Sequence, residues 1–376
     1  MRNLGTPLPR IVQALGRTAA GLLLLGVLAA CTTHGSLLPQ AVYFLGGSDE
    51  EAQVWRLDAD GVAAHPLTDV DGGVETFAVS PADGSLAFVG GNRLFLQDGE
   101  TGRRRVVVHG DQAADGMEGD PVRDLVGAPV FSSNGRTLAY SLNGLHLLDL
   151  PTGQDVRVLA NLGNLLGETF VFAKEDYAPS AWSPDNRQLL ISMGYFEGST
   201  LAIMEAVAEP SFVRLRSDGP VCCMYVWTPD SRAVLVANPS VGTHIPGLWR
   251  YDAETGAAET ILPGIAHDGS TNYVGWPHQL PSGDLLFFHA SLERFSPDLG
   301  IPMMMVRRAP DGSDPTPLRP ETFQIVEALW APDGSLALVS QPSTGSNRNI
   351  VLVPTDGSPL QLLLAGDVVR ELQWGP

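Results

Sequence analysis

The stretch Ala181-Trp-Ser-Pro-Asp-Asn-Arg-Gln-Leu-Leu-Ile191 decides the fold, because the chain writes it several times over. It reads as a strand ending on an aromatic anchor, a tight turn, and a second apolar strand. The same order appears in Phe77-Ala-Val-Ser-Pro-Ala-Asp-Gly-Ser-Leu-Ala-Phe88, in Val130-Phe-Ser-Ser-Asn-Gly-Arg-Thr-Leu-Ala-Tyr140 and in Val226-Trp-Thr-Pro-Asp-Ser-Arg-Ala-Val-Leu-Val236. A weak copy, His278-Gln-Leu-Pro-Ser-Gly-Asp-Leu-Leu-Phe287, precedes a strong one, Leu329-Trp-Ala-Pro-Asp-Gly-Ser-Leu-Ala-Leu338. The sequence then stops at Leu372-Gln-Trp-Gly-Pro376, half of a seventh. The turn chemistry has a physical reason. Pro presets φ, Asp or Asn tolerates turn geometry, and Gly accepts φ > 0, so the strand can reverse at once.

The anchors are Val79, Phe131, Trp182, Trp227, Gln279, Trp330 and Trp374, at spacings of 52, 51, 45, 52, 51 and 44 residues. Such a period suits one four-stranded propeller blade carrying longer loops. A second motif supplies the outer strands of each blade. Its copies begin at Val54, Leu94, Leu145, Leu201, Leu248, Met304 and Ile350, and most run into a glycine turn such as Glu100-Thr-Gly102. The first copy has no inner strand before it, and the strand at Trp374 has no outer strands after it. The fragments complete one another. The expectation is an all-β, seven-bladed β-propeller, in preference to six or eight blades. Its ring is closed by the C-terminal strand joining the N-terminal blade, which removes free sheet edges.

These repeats resemble the WD-repeat-like propellers of the TolB type, whose blades carry a similar Trp-Ser-Pro-Asp-Gly turn. The resemblance covers residues 41–376 and implies the fold. The sequence departs from TolB in lacking a separate N-terminal α/β domain, in counting seven blades rather than six, and in the N-terminal signal described next. TolB's partners are therefore not carried over.

Residues 1–30 read as an address rather than as structure. Arg2, Arg10 and Arg17 are the only charged side chains there, and an uncharged apolar run, 19–30, follows. That run is too short for a stable membrane-spanning helix and ends in small residues, as a signal peptide does. The junction Leu28-Ala29-Ala30-Cys31 resembles the bacterial lipobox, in which the cysteine becomes the first mature residue and carries lipid. The expected organisation is a lipoprotein signal peptide (1–30), a lipidated cysteine with a short tether (31–40) and a propeller domain (41–376). The lipid is then the membrane attachment, on the outer side of a bacterial membrane, periplasmic or at the cell surface.

Loss of the three N-terminal arginines takes the net charge from −19 to −22. Lys174 is the only lysine. Such acidity argues against a nucleic-acid partner and against binding anionic headgroups through the protein surface. Besides Cys31 the cysteines are Cys222 and Cys223. A bond between neighbours is strained, so two free thiols in a strand are expected, with no disulfide framework and no zinc spacing.

In a propeller the turns after the first and third strands share one face; the links after the second strand and between blades share the other. The long insertions, 111–126, 161–178, 193–199, 238–247, 264–273, 290–302 and 341–349, all fall on this second face. Long loops gathered on a rigid scaffold are where propellers bind. The linker 111–120 holds four carboxylates in ten residues, and Asp69, Asp71, Glu168, Glu175, Asp176, Glu197, Asp268, Glu293 and Asp298 are expected nearby. The spacing does not match an EF-hand loop, so solvated acidic loops are expected and no metal site is assigned.

Glu75, Trp276, Glu327 and Glu371 stand three or four residues before their anchors, toward the channel mouth, and are the candidate ligand-binding residues. No Gly-x-Ser-x-Gly elbow, His-Glu-x-x-His or P-loop lysine occurs, and no catalytic residue or cofactor is assigned. His267, Asp268 and His278 beside Ser270 form only a thin catalytic case, because no oxyanion donors accompany them. The sequence points first to a monomeric binding or scaffold module for a protein, peptide or glycan at the cell envelope. The alternative is a propeller hydrolase, glycosidase- or lactonase-like, with carboxylates at the central channel.

Replacing the lipid acceptor, Cys31→Ser, is expected to leave the protein unlipidated and released or unprocessed. Radiolabelled fatty-acid incorporation and membrane fractionation check this; unchanged retention and unchanged mass would refute the lipid anchor.

Overall fold

The computed structural model describes residues 36–48, 51–110, 125–164, 173–195, 198–215, 224–238, 246–293 and 300–376. The expected signal peptide, Cys31 and residues 32–35 of the tether lie outside them. So do the acidic linker 111–120 and Cys222 and Cys223.

Antiparallel sheets follow one another along the chain, seven in all, as the repeat implies. Blade 1 runs Val369–Gly375, Ala41–Gly46, Gln53–Leu57, Ala64–Pro66, so its innermost strand is the last of the chain and its other three are the first. Blades 2 to 7 begin on the inner strands Thr76–Val79, Gly127–Phe131, Ala173–Trp182, Met224–Trp227, Thr271–Gln279 and Glu327–Trp330 and continue outward in sequence order. Blade 4 departs from the four-stranded expectation. A short strand, Leu162–Asn164, pairs with the long Ala173–Trp182 and makes that sheet five-stranded.

The core is not one body but seven clusters, one at each blade–blade interface. The reason is visible in the strands. Ala41–Gly46 is buried at every position, so both of its faces are covered. Ala41, Tyr43 and Leu45 pack against Phe77, Val79, Leu86 and Phe88 of blade 2. The alternate residues Val42 and Phe44 pack against Leu336, Leu338 and Ile350 of blade 7. The same period-2 split recurs in Ala233–Asn238: Val234 and Val236 face blade 4, while Leu235 and Ala237 face blade 6. A second strand thus reads as a continuous apolar run rather than an alternating one, because each of its faces meets a neighbouring blade.

The anchors add a directional bond to this packing. The indole N–H groups of Trp182 and Trp227 donate to Val130 O and Ala181 O, each at 3.0 Å, on the preceding inner strand. Trp330 donates to Trp276 O at 2.7 Å and Trp374 to Trp330 O at 2.6 Å. A Trp is suited to this position because its ring fills the interface while its one donor needs a partner when buried.

The repeated turns follow their sequence. Gly84, Gly135, Asn186, Ser231, Gly283 and Gly334 occupy the equivalent place in six blades, and all have φ between 60° and 89°. At Gly334 a Cβ would stand 2.5 Å from Leu280 Cδ2, so the position demands glycine for space as well as for φ. Asn186 and Ser231 carry side chains at positive φ for a different reason. Asn186 Oδ1 accepts Asn134 N–H at 3.1 Å and Ser231 Oγ accepts Asp185 N–H at 3.1 Å, linking one blade's turn to the next.

The short turns share one face, and none exceeds the length of 309–315. The strand ends at the other face are joined by longer stretches of sequence, 110–126, 165–172, 215–223, 239–246 and 293–301, most of whose residues lie outside those described. Three expected insertions are shorter than anticipated. Strands Leu162–Asn164 and Ala173–Trp182 take up half of 161–178. Strands Gln188–Tyr195 and Gly198–Glu205 pair out to Tyr195 and Gly198, so only 196–197 fall between them. Strands Leu336–Pro342 and Arg348–Pro354 likewise absorb most of 341–349. Among the described residues no helix is long and apolar enough to cross a membrane.

Ring closure sets the stability prediction. Deleting 369–376 removes the inner strand of blade 1 and is expected to abolish cooperative melting at the full-length temperature. Trp374→Ala alone is expected to cost about 3 kcal/mol, the low end for a buried tryptophan because Trp374 is only half-buried. Chemical denaturation checks both; a truncated protein that melts as the full chain does would contradict the closure.

Candidate functional site

The residue three places before each anchor forms a ring toward the long-connection face. In blade order these are Glu371, Thr76, Ala128, Pro179, Met224, Trp276 and Glu327. The inner strands are irregular here. Pairing registers shift at Arg370/Gln373, Gly127/Val130, Pro179/Ala181 and Gly275/His278. Glu371, Ala128 and Trp276 have φ of 56°, 47° and 51°. Three non-glycine residues in the left-handed region mark β-bulges that re-aim their side chains, a device frequent beside functional sites.

Of the four residues singled out from the sequence, the structure brings two together. Glu327 Oε1 accepts the N–H of Leu372 at 2.7 Å, so it holds the closing strand from blade 7. On the other side, Thr76 of blade 2 donates its hydroxyl to Glu371 Oε2 at 3.0 Å. The two glutamates therefore bracket the closing strand. Burial pushes the Glu327 carboxyl up to about 7, against the Leu372 N–H, and the neighbouring Glu371 charge adds to the rise. Burial also raises Glu371, opposed by Thr76, the Phe77 N–H and Arg370. Two like charges so placed disfavour full ionisation, and the pair tends to keep a proton near neutral pH.

The other two lie elsewhere on the ring or its rim. Glu75 is exposed at the entry to the blade 2 inner strand. Trp276 meets Phe288 edge-on at 6.1 Å, and its backbone N–H donates to Met224 Sδ at 3.2 Å. Gln373 was not legible as a site residue. Its Oε1 accepts Val79 N–H at 3.1 Å and its Nε2 donates to Phe77 O at 2.9 Å, a two-point clip of the closing strand onto blade 2. A glutamine beside an anchor carries no sequence signal; only the meeting of first and last blades gives it a partner.

Farther along the axis, toward the short turns, a cavity of about 290 Å³ is lined by Ala78, Val79, Val130, Ala181, Trp182 and Gln373 among others. None of the four candidate residues lines it. The histidine grouping does not assemble. Asp268 is engaged by Ser270 in its own turn, with the Ser270 hydroxyl donating at 2.7 Å, whereas His278 stacks on Trp330 at 6.2 Å. Glu175 pairs with Arg214 at 2.8 Å, Asp69, Asp71 and Glu293 are exposed, and Glu168, Glu197 and Asp298 lie outside the described residues. Among the described residues no three His, Cys, Asp or Glu side chains group as metal ligands do.

Comparison with known proteins agrees with the architecture. The chain is similar to TolB from Acinetobacter baumannii, at 16% identity over 90% of this chain and 83% of that one, with a TM-score of 0.44. It is similar to an oligogalacturonate lyase from Vibrio parahaemolyticus, at 12% identity over 86% and 84%, with a TM-score of 0.53. It is similar to a puromycin hydrolase mutant at 15% identity and a TM-score of 0.55, covering 88% of this chain and only 53% of that one. By fold the chain is a seven-bladed β-propeller. No protein-family model and no curated protein matches the sequence. Likeness at such identities shows the scaffold, and a scaffold of this kind does not fix an activity.

The carboxylate pair gives a pH prediction with a definite sign. A carboxyl raised on folding, from near 4.5 to about 7, binds protons more tightly in the native state. It contributes stability below pH 4.5, and that contribution is lost as pH rises toward 7. Glu327→Gln keeps an acceptor for Leu372 N–H and removes the titration. The variant is expected to match the wild type near pH 4 and to exceed it at pH 8 by up to about 3 kcal/mol. Urea denaturation across that range checks this; parallel pH profiles would contradict it.

Proposed function

We propose that this chain is an exported, lipid-anchored propeller that works as a binding or scaffold module at the cell envelope. The lipobox order around Cys31 supports export and anchoring. The observation that carries the binding role is the inequality of the two faces. One face is made of short turns, tied to one another and built on one pattern; the other bears the long connections and the ring of bulged inner-strand residues. Segments free of the turn's constraints are where a specific partner can be encoded. A protein, peptide or glycan is the expected ligand, and Glu75 and Trp276 are the residues expected to touch it. Glu327 and Glu371 would act there mainly by holding the closing strand.

A second reading rests on one feature. A carboxyl raised to about 7 beside another acid is the electrostatic arrangement of a general acid and its partner. In that reading the propeller is a hydrolase and Glu327 donates the proton.

One experiment separates the two. The full chain is used to capture ligands from exported proteins and from a glycan array, and the footprint is mapped by hydrogen exchange. Protection at 215–223, 239–246 and 293–301 is expected, with weakened capture by Glu75→Gln at an unchanged melting temperature and by Trp276→Ala at a lowered one, because that ring also packs on Phe288. A footprint on the short turns would overturn the binding assignment. Turnover of a captured glycan that Glu327→Gln abolishes would replace it with the hydrolase.

A further inference from the structure

The short-turn face is not featureless. Between blades 2 and 3 it holds a groove of about 500 Å³, whose walls carry Arg103, Arg104, Arg105 and Arg136. The first three come from the outer turn and fourth strand of blade 2, Arg104–His109, and the last from the inner turn of blade 3. The floor is apolar, formed by Leu96, Phe131 and Leu150. We propose that this groove is an anion-binding site for a small organic ligand bearing carboxylate or phosphate groups.

Charge is the first argument. The chain has a net charge of −19, yet four arginines line this one groove, of which Arg104 turns its guanidinium to Phe95 and Asp69 O, against two lining carboxylates, Asp83 and Asp98. Those carboxylates serve their own turns. Asp98 Oδ1 accepts the Thr101 N–H at 2.7 Å and hydroxyl at 2.6 Å, and Asp83 Oδ1 accepts the Ser85 N–H at 3.1 Å. Asp98 offsets part of the Arg103 charge and Asp149 part of the Arg136 charge, which leaves Arg105 the least compensated of the lining arginines.

Availability is the second. Arg104 is held in place, with Nη1 donating to Asp69 O at 3.3 Å and its guanidinium 5.6 Å from the Phe95 ring centre. Among the described residues Arg103, Arg105 and Arg136 enter no ion pair, and all three are exposed. Their donor forks remain open to a ligand. A guanidinium matches a carboxylate or a phosphate with two parallel N–H···O bonds, a geometry that lysine cannot supply.

Size and floor are the third. The volume falls in the range of pockets that hold small organic molecules, and an apolar floor between cationic walls suits a carbon body carrying oxyanions at its edge. A sugar acid and a sugar phosphate share that chemistry. This inference is independent of the binding reading for the opposite face.

The test is calorimetric titration of the purified full chain with glucuronate, glucose 6-phosphate, inorganic phosphate and neutral glucose, at low and at high salt. Saturable binding of one or both organic anions is expected, weakened by salt, with none for glucose. Whichever organic anion binds more tightly identifies the group that the site reads. The double variant Arg105→Gln/Arg136→Gln is expected to bind at least about tenfold more weakly at an unchanged melting temperature. Arg136→Lys, which keeps the charge and loses the fork, should fall between. Binding of no anion, equal binding of glucose, an unaltered double variant, or inorganic phosphate binding as tightly as glucose 6-phosphate would each overturn the proposal. Should the double variant melt early, Arg136→Gln alone, an exposed turn substitution, carries the same comparison.

Discussion

The pairing of Val369–Gly375 with Ala41–Gly46 is the constraint on which the rest depends. It brings the last strand of the chain to the innermost place in the first blade, with register partners Val42↔Trp374 and Leu45↔Arg370. Each blade buries its faces only against its neighbours, so a ring left open would expose two apolar sheets at once. The closing strand is accordingly held from three directions: by backbone pairing within blade 1, by Glu327 and Trp330 O on blade 7, and by Thr76, Phe77 and Val79 on blade 2. Loop-closure entropy for contacts so distant in sequence is large but grows slowly with length, and a cooperative set of bonds offsets it.

That seam has a chemical consequence. The closing strand has donors that need acceptors, and Glu327 supplies one to Leu372 by reaching across from the neighbouring blade. The carboxyl is buried in doing so, and its proton affinity rises because water no longer solvates the charge. Raised pKa values in a cleft are a mark of functional sites, and structural ion networks produce the same mark. Here the hydrogen bonds give the seam a structural role first. The exposed Glu75 and the bulged Trp276 stand outside those bonds.

The two faces of the ring solve different problems. Short turns recur because reversal within a few residues demands positive φ at one position and an acceptor beside it. Where glycine is replaced, at Asn186 and Ser231, the side chain ties one turn to the next. This face is thereby rigid, and the guanidinium groups of its blade 2–3 groove sit on supported elements rather than on long loops. The opposite face keeps its backbone positions fixed at the strand ends while its connections vary in length. A rigid groove and a variable rim are suited to different ligands, a small anion and a larger surface.

The sequence by itself determined the blade count, the phase of each blade and the closure. The reason is that these depend on local signals repeated at a fixed period: a turn that only certain residues make, and a strand whose continuous apolar run records burial on both faces. It also marked Glu327 and Glu371 as residues near the channel mouth, by their distance from an anchor. Tertiary structure decided the rest. The extra strand of blade 4 carries no turn signature. Gln373 and Thr76 acquire their roles only because residues nearly three hundred positions apart meet at the seam. The arginine groove was illegible for the same reason. Arg103, Arg104 and Arg105 look like a solvated outer strand until packing of blade 3 sets Arg136 opposite them, and a site made across an interface leaves no pattern within either partner.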